Sequence, residues 1–388
     1  MDAVKNPYTP GAGIKPLTLA GRDETIQKAT ILLKRVKNGS PQRSIMLYGL
    51  RGVGKTVLLN HFEDVAIKEG YIVQHLEMSE NDDFKKVIAR TVRKILLSID
   101  SMERAKNALR KAFGVLKSLT LSLPDGSELT IDVDKIMGEG DSGNFESDLV
   151  DLVESVGYAA KENSKVICIL IDETQYVDEQ SLAALIAASH KISQKNLPVV
   201  FICAGLPQIA ALTGDAKSYA ERLFEFIKIN GLGQKETREA IEGPAQSQKV
   251  RFEEDAVKKL ADLTGGYPYF IQEFCKFVWD FAPSSPITLA DVEGAESQAI
   301  NSLDESFFKV RLDRATDKER NLMRAMAEIG RGPYKISDVI AKMKIKQNVV
   351  SPIRANLIRK GFIYAPQHGI VDFSVPKFDE FLRRHFGI

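Results

Sequence analysis

Residues 45–60 read Ile-Met-Leu-Tyr-Gly-Leu-Arg-Gly-Val-Gly-Lys-Thr-Val-Leu-Leu-Asn. Gly49, Gly54, Lys55 and Thr56 fit the pattern G-x4-G-K-[ST], between a strand-like apolar run and the start of a helical one. Glycines let the backbone curl so that successive N–H groups point inward, and a helix N-terminus adds positive potential. Such a cradle suits phosphate oxygens, which makes Gly49, Gly52, Val53, Gly54, Lys55, Thr56 and Val57 candidate nucleotide-binding positions. Lys55 is placed to reach β- and γ-phosphates, and the Thr56 hydroxyl to ligate Mg²⁺. The alternative is a glycine-rich turn that holds no ligand. The strand before it and the helix after it weigh against that.

A second element lies about 110 residues on. Val166-Ile167-Cys168-Ile169-Leu170-Ile171-Asp172-Glu173 is a continuous apolar run ending in two acids, the pattern of a buried parallel strand whose carboxyl end faces a ligand. Asp172 is the expected second Mg²⁺ ligand, and Glu173 is placed to orient or deprotonate an attacking water. A strand that merely ends in two solvated acids is common. The phosphate-loop pattern upstream is what gives this pair its meaning.

At 388 residues the chain exceeds what one core usually serves, so two or three domains are expected. It contains no run of eighteen apolar residues and no charged-then-apolar leader, so neither a membrane span nor secretion is expected. Cys168, Cys203 and Cys275 are far apart, and two of them sit in strand-like runs. That disfavours a disulfide framework or zinc site and suits a cytoplasmic location. The histidines show no metal-ligand spacing, and His190 reads as a packed or surface residue.

Charge is unevenly spread. From Arg314 to Ile388 there are fifteen Lys/Arg against seven Asp/Glu, a net +8, whereas the rest carries 38 basic and 45 acidic residues, a net −7. A basic C-terminal module would suit a polyanion. Local drift of a solvated surface is the other reading.

Residues 1–40 read as an extended strap, then a helix from Gly21-Arg22-Asp23 to about Lys37. Residues 41–230 alternate strand and helix at the spacing of a parallel sheet covered on both faces. Within them, Leu119, Leu121 and Leu123 alternate with polar residues, Pro124-Asp125-Gly126 turns, and Leu129, Ile131 and Val133 alternate back. This predicts a β-hairpin insertion near 119–133, either a wedge touching DNA or a neighbouring subunit, or a cover for a sheet edge. Residues 231–313 read as purely helical, with Gly265-Gly266-Tyr267-Pro268 separating two helices. Residues 314–388 read as helix-turn-helix followed by two short strands, a winged-helix pattern with 347–360 as the recognition helix. Lys342, Lys344, Lys346, Arg354, Arg359 and Lys360 make 336–360 a candidate duplex-DNA surface; protein contact is the alternative.

These pieces, in this order and over the whole chain, resemble AAA+ ATPases of the archaeal-ATPase and origin-recognition-like type. The implied fold is an α/β P-loop NTPase (the ASCE/AAA+ class), with a parallel sheet, a helical lid and a C-terminal winged helix. Gly21-Arg22-Asp23 resembles the family's box that contacts the adenine, which implies nucleotide contact for Arg22. Asp172-Glu173 matches its second nucleotide motif, with Gln175 following as in several relatives. Tyr219-Ala220-Glu221-Arg222-Leu223-Phe224 sits where the family places an arginine finger, so Arg222 is the candidate for activation in trans. Gly266-Tyr267-Pro268 resembles the G-x-P of signal-transducing relatives, in which Pro268 would touch the nucleotide.

Two departures stand out. The strand ending at Ala204 lacks the Asn or Thr usually found as a γ-phosphate sensor, with only Gln208 nearby, and the lid has Tyr-Pro where origin-recognition relatives carry an arginine. The resemblance therefore implies ATP/ADP binding with Mg²⁺ and a turnover that is slow or completed on assembly into a homo-oligomer. Catalytic roles fall to Lys55, Glu173 and Arg222. Two readings of the output stay open: a DNA-associated ATPase, or a signalling switch whose winged helix meets a protein partner or its own chain. A metabolic kinase is disfavoured because no second-substrate site is visible, and a repeat scaffold is disfavoured too.

Overall fold

The computed structural model describes residues 1–99, 106–121, 141–209, 212–213 and 220–388. They form two compact units: Thr25–Tyr48 with Leu58–Lys228, and Met1–Glu24 with Gly49–Val57 and Ile229–Ile388.

The sheet unit holds α1 (Asp23–Lys37), β1 (Ser44–Tyr48), α2 (Lys55–Lys68), β2 (Ile72–Glu77), α3 (Phe84–Ile99), α4 (Lys106–Leu121), α5 (Phe145–Glu162), β3 (Ile167–Asp172), α6 (Glu179–Lys195), β4 (Val199–Gly205) and β5 (Phe224–Lys228). All five strands are parallel, in the order β2-β3-β4-β1-β5. Every residue of β3 and β4 is buried, which explains their unbroken apolar sequence. Side chains alternate. Ile167, Ile169, Ile171, Val199, Phe201 and Cys203 join Ile88, Val92, Leu116, Leu152 and Leu185 from α3–α6 in one core. Burying a side chain of the size of Phe201 contributes roughly 1.5–3 kcal/mol. β4 lies between β1 and β3, so the strand feeding the phosphate loop and the strand carrying Asp172 are one strand apart.

The hairpin expectation fails at its first arm, because α4 continues through Leu121. Leu109, Ala112, Val115, Leu116 and Leu119 are buried at helical spacing. Leu119 therefore ends a period-3.6 stripe, and its alternation with polar neighbours in the sequence mimics a strand. The rest of 119–133 lies outside the described residues.

The second unit carries α7 (Gln234–Ser247), α8 (Glu254–Thr264), α9 (Pro268–Phe281) and α10 (Leu289–Leu303), which runs on through a π-helical stretch at Asp304–Lys309. Then follow α11 (Asp317–Ile329), β6 (Tyr334–Lys335), α12 (Ile336–Met343), α13 (Gln347–Arg359), β7 (Ile363–Gln367), β8 (Ile370–Phe373) and α14 (Phe378–Phe386). The three strands pair antiparallel in the order β6-β8-β7, completing a winged helix. Lid and winged helix share one core: Phe270 meets Phe308 (ring centroids 6.0 Å apart), which stacks on Phe381 of α14 at 5.2 Å. The N-terminal strap lies along the lid. Tyr8 donates its hydroxyl proton to the Ile241 carbonyl, and the Trp279 indole N–H donates to the Asp2 carbonyl at 3.0 Å.

Candidate nucleotide site

The chain leaves β1 at Tyr48 and enters the loop at Gly49, where a Cβ would stand 2.2 Å from the Ile229 carbonyl oxygen. Only glycine fits. Gly52 and Gly54 adopt φ of 82° and 93°, a left-handed conformation that side chains resist. α2 begins at Lys55, so its first N–H groups have no intrahelical acceptor and face the loop end of the helix. Lys55 is buried and folds back across the loop, its ammonium donating to the Gly49 and Leu50 carbonyls at 2.9 Å each. Thr56 and Val57, in the first turn of α2, are half-buried.

Other segments of the same unit hold this loop. The Arg22 guanidinium donates to the Val53 carbonyl at 2.9 Å and the Asn230 carbonyl at 2.8 Å, and burial pulls its pKa below the usual arginine value. Arg22 thus ties strap, loop and lid entrance together. Pro268 is the first residue of α9, where its missing N–H costs nothing, and the next residue, Tyr269, donates its N–H to the Gly52 carbonyl at 3.3 Å. The Tyr269 ring stacks on Phe307 at 4.7 Å. From the winged helix, the Ser374 carbonyl accepts the Arg51 N–H at 3.0 Å.

The acidic pair belongs to the sheet unit. Asp172 is 2 % exposed, and its Oδ1 accepts the Glu173 N–H at 2.7 Å. Glu173 has φ 51° and ψ 38°, a left-handed conformation costing on the order of 1–3 kcal/mol in a non-glycine residue. Its carboxylate accepts a hydrogen bond from the Gln175 amide, whose own oxygen accepts the Leu206 N–H at 3.0 Å. Parallel pairing sets Tyr48 opposite Gly205 and Ile171 opposite Cys203, so β1 and β3 end level at the carboxyl edge of the sheet. Arg222 sits elsewhere. It is exposed in the turn Ala220–Leu223, just before β5, whose first residue Phe224 pairs with Ser44 at the amino edge.

Residues 18–202 match the AAA ATPase domain family, and residues 305–382 match a domain of unknown function, DUF8462. Residues 18–202 of the chain are thus an AAA ATPase domain. Its fold is similar to that of the Walker-type ATPase of Pyrococcus abyssi, at 15% identity and a TM-score of 0.56, covering 94% of this chain and 96% of that one. It is also similar to Cdc6p from Pyrobaculum aerophilum, at 14% identity and a TM-score of 0.51, covering 99% of both chains. At these identities the likeness concerns the fold. No curated protein sequence matches the ATPase.

In the candidate DNA surface at 336–360, Lys344, Lys346, Asn348, Ser351, Asn356 and Arg359 are exposed, while Arg354 is half-buried. Lys342 pairs with Glu328 at 3.1 Å. Lys360 is committed inward, to buried Glu319 at 2.9 Å. The basic count of the ATPase's C-terminal segment therefore overstates its outward charge. Two links escaped the sequence reading. The Ser374 contact runs through backbone atoms, so no residue type announces it. Gln175 stood beside the acids, but only the fold brings Leu206 to its other end. Among the described residues no group of three or more His, Cys, Asp or Glu could hold a metal, and no helix is long and apolar enough to cross a membrane.

Proposed function

We propose that the protein is an Mg²⁺-dependent ATP hydrolase that works as a nucleotide-controlled switch with its output at the winged helix. The observation that carries this is the strained, hydrogen-bonded Asp172-Glu173 pair, ending a buried strand that β4 alone separates from the strand feeding the phosphate loop. Gly49, Gly52, Val53, Gly54 and Val57 shape the cradle and the first turn behind it. Lys55 can swing from its two carbonyl acceptors to β- and γ-phosphate oxygens. The Thr56 hydroxyl and the Asp172 carboxylate are hard oxygen donors, which fit Mg²⁺, and the bound ion would offset the negative charge of the phosphates. Glu173 orients and deprotonates water. Arg22 and Pro268, both against the loop, complete the nucleotide contacts. Arg222, exposed at the opposite sheet edge from the ends of β1 and β3, is the arginine that would serve another copy of the chain in a homo-oligomer.

Measuring turnover and binding of a non-hydrolysable ATP analogue in Glu173→Gln tests the assignment. Retained binding with turnover reduced by about 10²-fold or more is expected, the usual worth of a general base. Normal turnover would falsify the assigned base.

Two outputs have support. The exposed face of α13 with Lys344 and Lys346 favours duplex DNA, bound with a salt dependence that falls by about 0.9 in log–log slope for each phosphate contact removed. The bond from Arg51 to Ser374 favours the second reading, a switch read within the chain or by a protein partner. Titrating a labelled duplex at several salt concentrations, with Lys344→Ala/Lys346→Ala as control, separates them. Binding that ignores both salt and the substitutions excludes the first.

A further inference from the structure

We propose that Gln175 is a positioning residue for Glu173 and links the general base to the end of β4; this rests on the reading of Glu173 given above. The Glu173 backbone is fixed in its left-handed conformation, and the bonds to its carboxylate decide where that carboxylate is aimed. Its carboxylate accepts from the Gln175 amide nitrogen, and the Gln175 oxygen accepts from the Leu206 N–H at 3.0 Å. That second bond fixes the amide. A flip would turn oxygen toward carboxylate and NH₂ toward N–H, two repulsive contacts replacing two attractive ones. The amide thus has one orientation, the one that donates to Glu173.

The approach depends on Gly205. A Cβ there would come within 3.1 Å of Gln175 Oε1, closer than most side-chain contacts allow. β4 therefore ends in the residue that lets Gln175 reach the strand terminus. This matters because β4 ends Ala204-Gly205 and runs into Leu206, with no polar side chain at the place where a γ-phosphate sensor is expected. Here the strand speaks to the base through a backbone N–H and a glutamine borrowed from the β3 end. A displacement of the β4 terminus moves Leu206, turns Gln175 and changes how Glu173 is aimed. The substrate class is unchanged: a nucleoside triphosphate whose terminal phosphate is attacked by the water that Glu173 holds.

The test compares single-turnover rates and ATP affinity in the intact chain, Gln175→Leu, Glu173→Gln and the double variant. Gln175→Leu should lower the rate about 10-fold with ATP KM within two-fold, as expected for loss of orientation without loss of binding. In the Glu173→Gln background the same substitution should cost nothing further, because its effect runs through Glu173. Gln175→Glu keeps the acceptor for Leu206 but places a second carboxylate beside Glu173, so the rate should fall at least as far as in Gln175→Leu. Recovery of the rate in Gln175→Glu would mean that only the Leu206 bond matters and would overturn the proposal. So would an undiminished rate in Gln175→Leu, or an equal further loss in the double variant. Should Glu173→Gln itself turn over normally, the fault lies with the general-base assignment.

Discussion

The Arg51 backbone N–H donates at 3.0 Å to the carbonyl of Ser374, so the phosphate loop and the winged helix are directly hydrogen-bonded. Ser374 is fully buried and well held: its N–H donates to the Phe362 carbonyl at 2.9 Å, and its hydroxyl faces the Gly361 and Phe362 carbonyls. The acceptor is therefore fixed by the module that carries it. Removing that module would strip Phe308 of its partners Phe378 and Phe381, so a point substitution is the cleaner probe. Ser374→Ala removes the hydroxyl bonds that hold this carbonyl but keeps the carbonyl itself, so it should lower stability by about 1 kcal/mol and speed amide exchange at Arg51 only modestly. Amide exchange at Arg51 in the parent chain as fast as in an unstructured peptide would show that the contact does not order the loop.

Lys55 separates binding from chemistry. Its ammonium lies across the loop on the Gly49 and Leu50 carbonyls, within reach of a bound phosphate, and Lys55→Ala should abolish detectable ATP-analogue binding at a modest cost in melting temperature. Gly49→Ala should behave differently. Its Cβ would collide with the Ile229 carbonyl at 2.2 Å, so the fold itself should lose about 1–3 kcal/mol. A thermal melt of both variants distinguishes the two effects. A loss of stability in Lys55→Ala as large as in Gly49→Ala would show that its bonds to the Gly49 and Leu50 carbonyls, and not phosphate contact, are its main role.

Arg222 is exposed at the amino edge of the sheet, one full strand length from Tyr48. If it serves a neighbouring copy, specific activity should rise with protein concentration, and Arg222→Ala should lose on the order of 10³-fold in turnover without losing ATP affinity. Mixing Arg222→Ala with Glu173→Gln should restore part of the activity, since one chain supplies the base and the other the arginine. Activity independent of concentration, with Arg222→Ala as fast as the parent, would remove the trans role.

The phosphate loop and the Asp172-Glu173 strand could be read from sequence because each depends on local chemistry: a curl that needs glycine, a buried run that needs apolar residues. The helices of the lid and the recognition helix follow from their spacing in the same way. Long-range readings were less secure. Leu119 belongs both to a two-residue alternation with the residues after it and to a 3.6-residue stripe with Leu109, Ala112 and Leu116 before it, and packing in the core decides for the second. α14 has a readable pattern, with Phe378, Phe381 and Leu382 on one face, acids first and bases last, yet it is short and has no side-chain cap to mark its start. Lys360 looked like a DNA contact because its type suits one. Its partner, Glu319, lies 41 residues earlier and is brought to it by the fold.

That Glu319–Lys360 pair gives the winged helix a pH dependence whose sign follows from the geometry. Burial raises the Glu319 pKa, but the hydrogen bonds from Lys360 at 2.9 Å and the Thr316 N–H at 2.8 Å outweigh it, leaving the group below the ordinary glutamate range. A carboxylate depressed on folding stabilises fully above its unfolded pKa, about 4.3, and the stabilisation is lost as pH falls below that through the folded value. Melting temperature should therefore fall more steeply below about pH 4 in the parent chain than in Glu319→Gln, which has no charge to lose. At neutral pH, removing one partner leaves a buried charge, so Lys360→Ala should cost about 3–5 kcal/mol. Lys344→Ala, on the exposed face, should cost almost nothing. Parallel pH–melting curves for parent and Glu319→Gln would refute the assignment, and a mild Lys360→Ala would return that lysine to the candidate DNA surface.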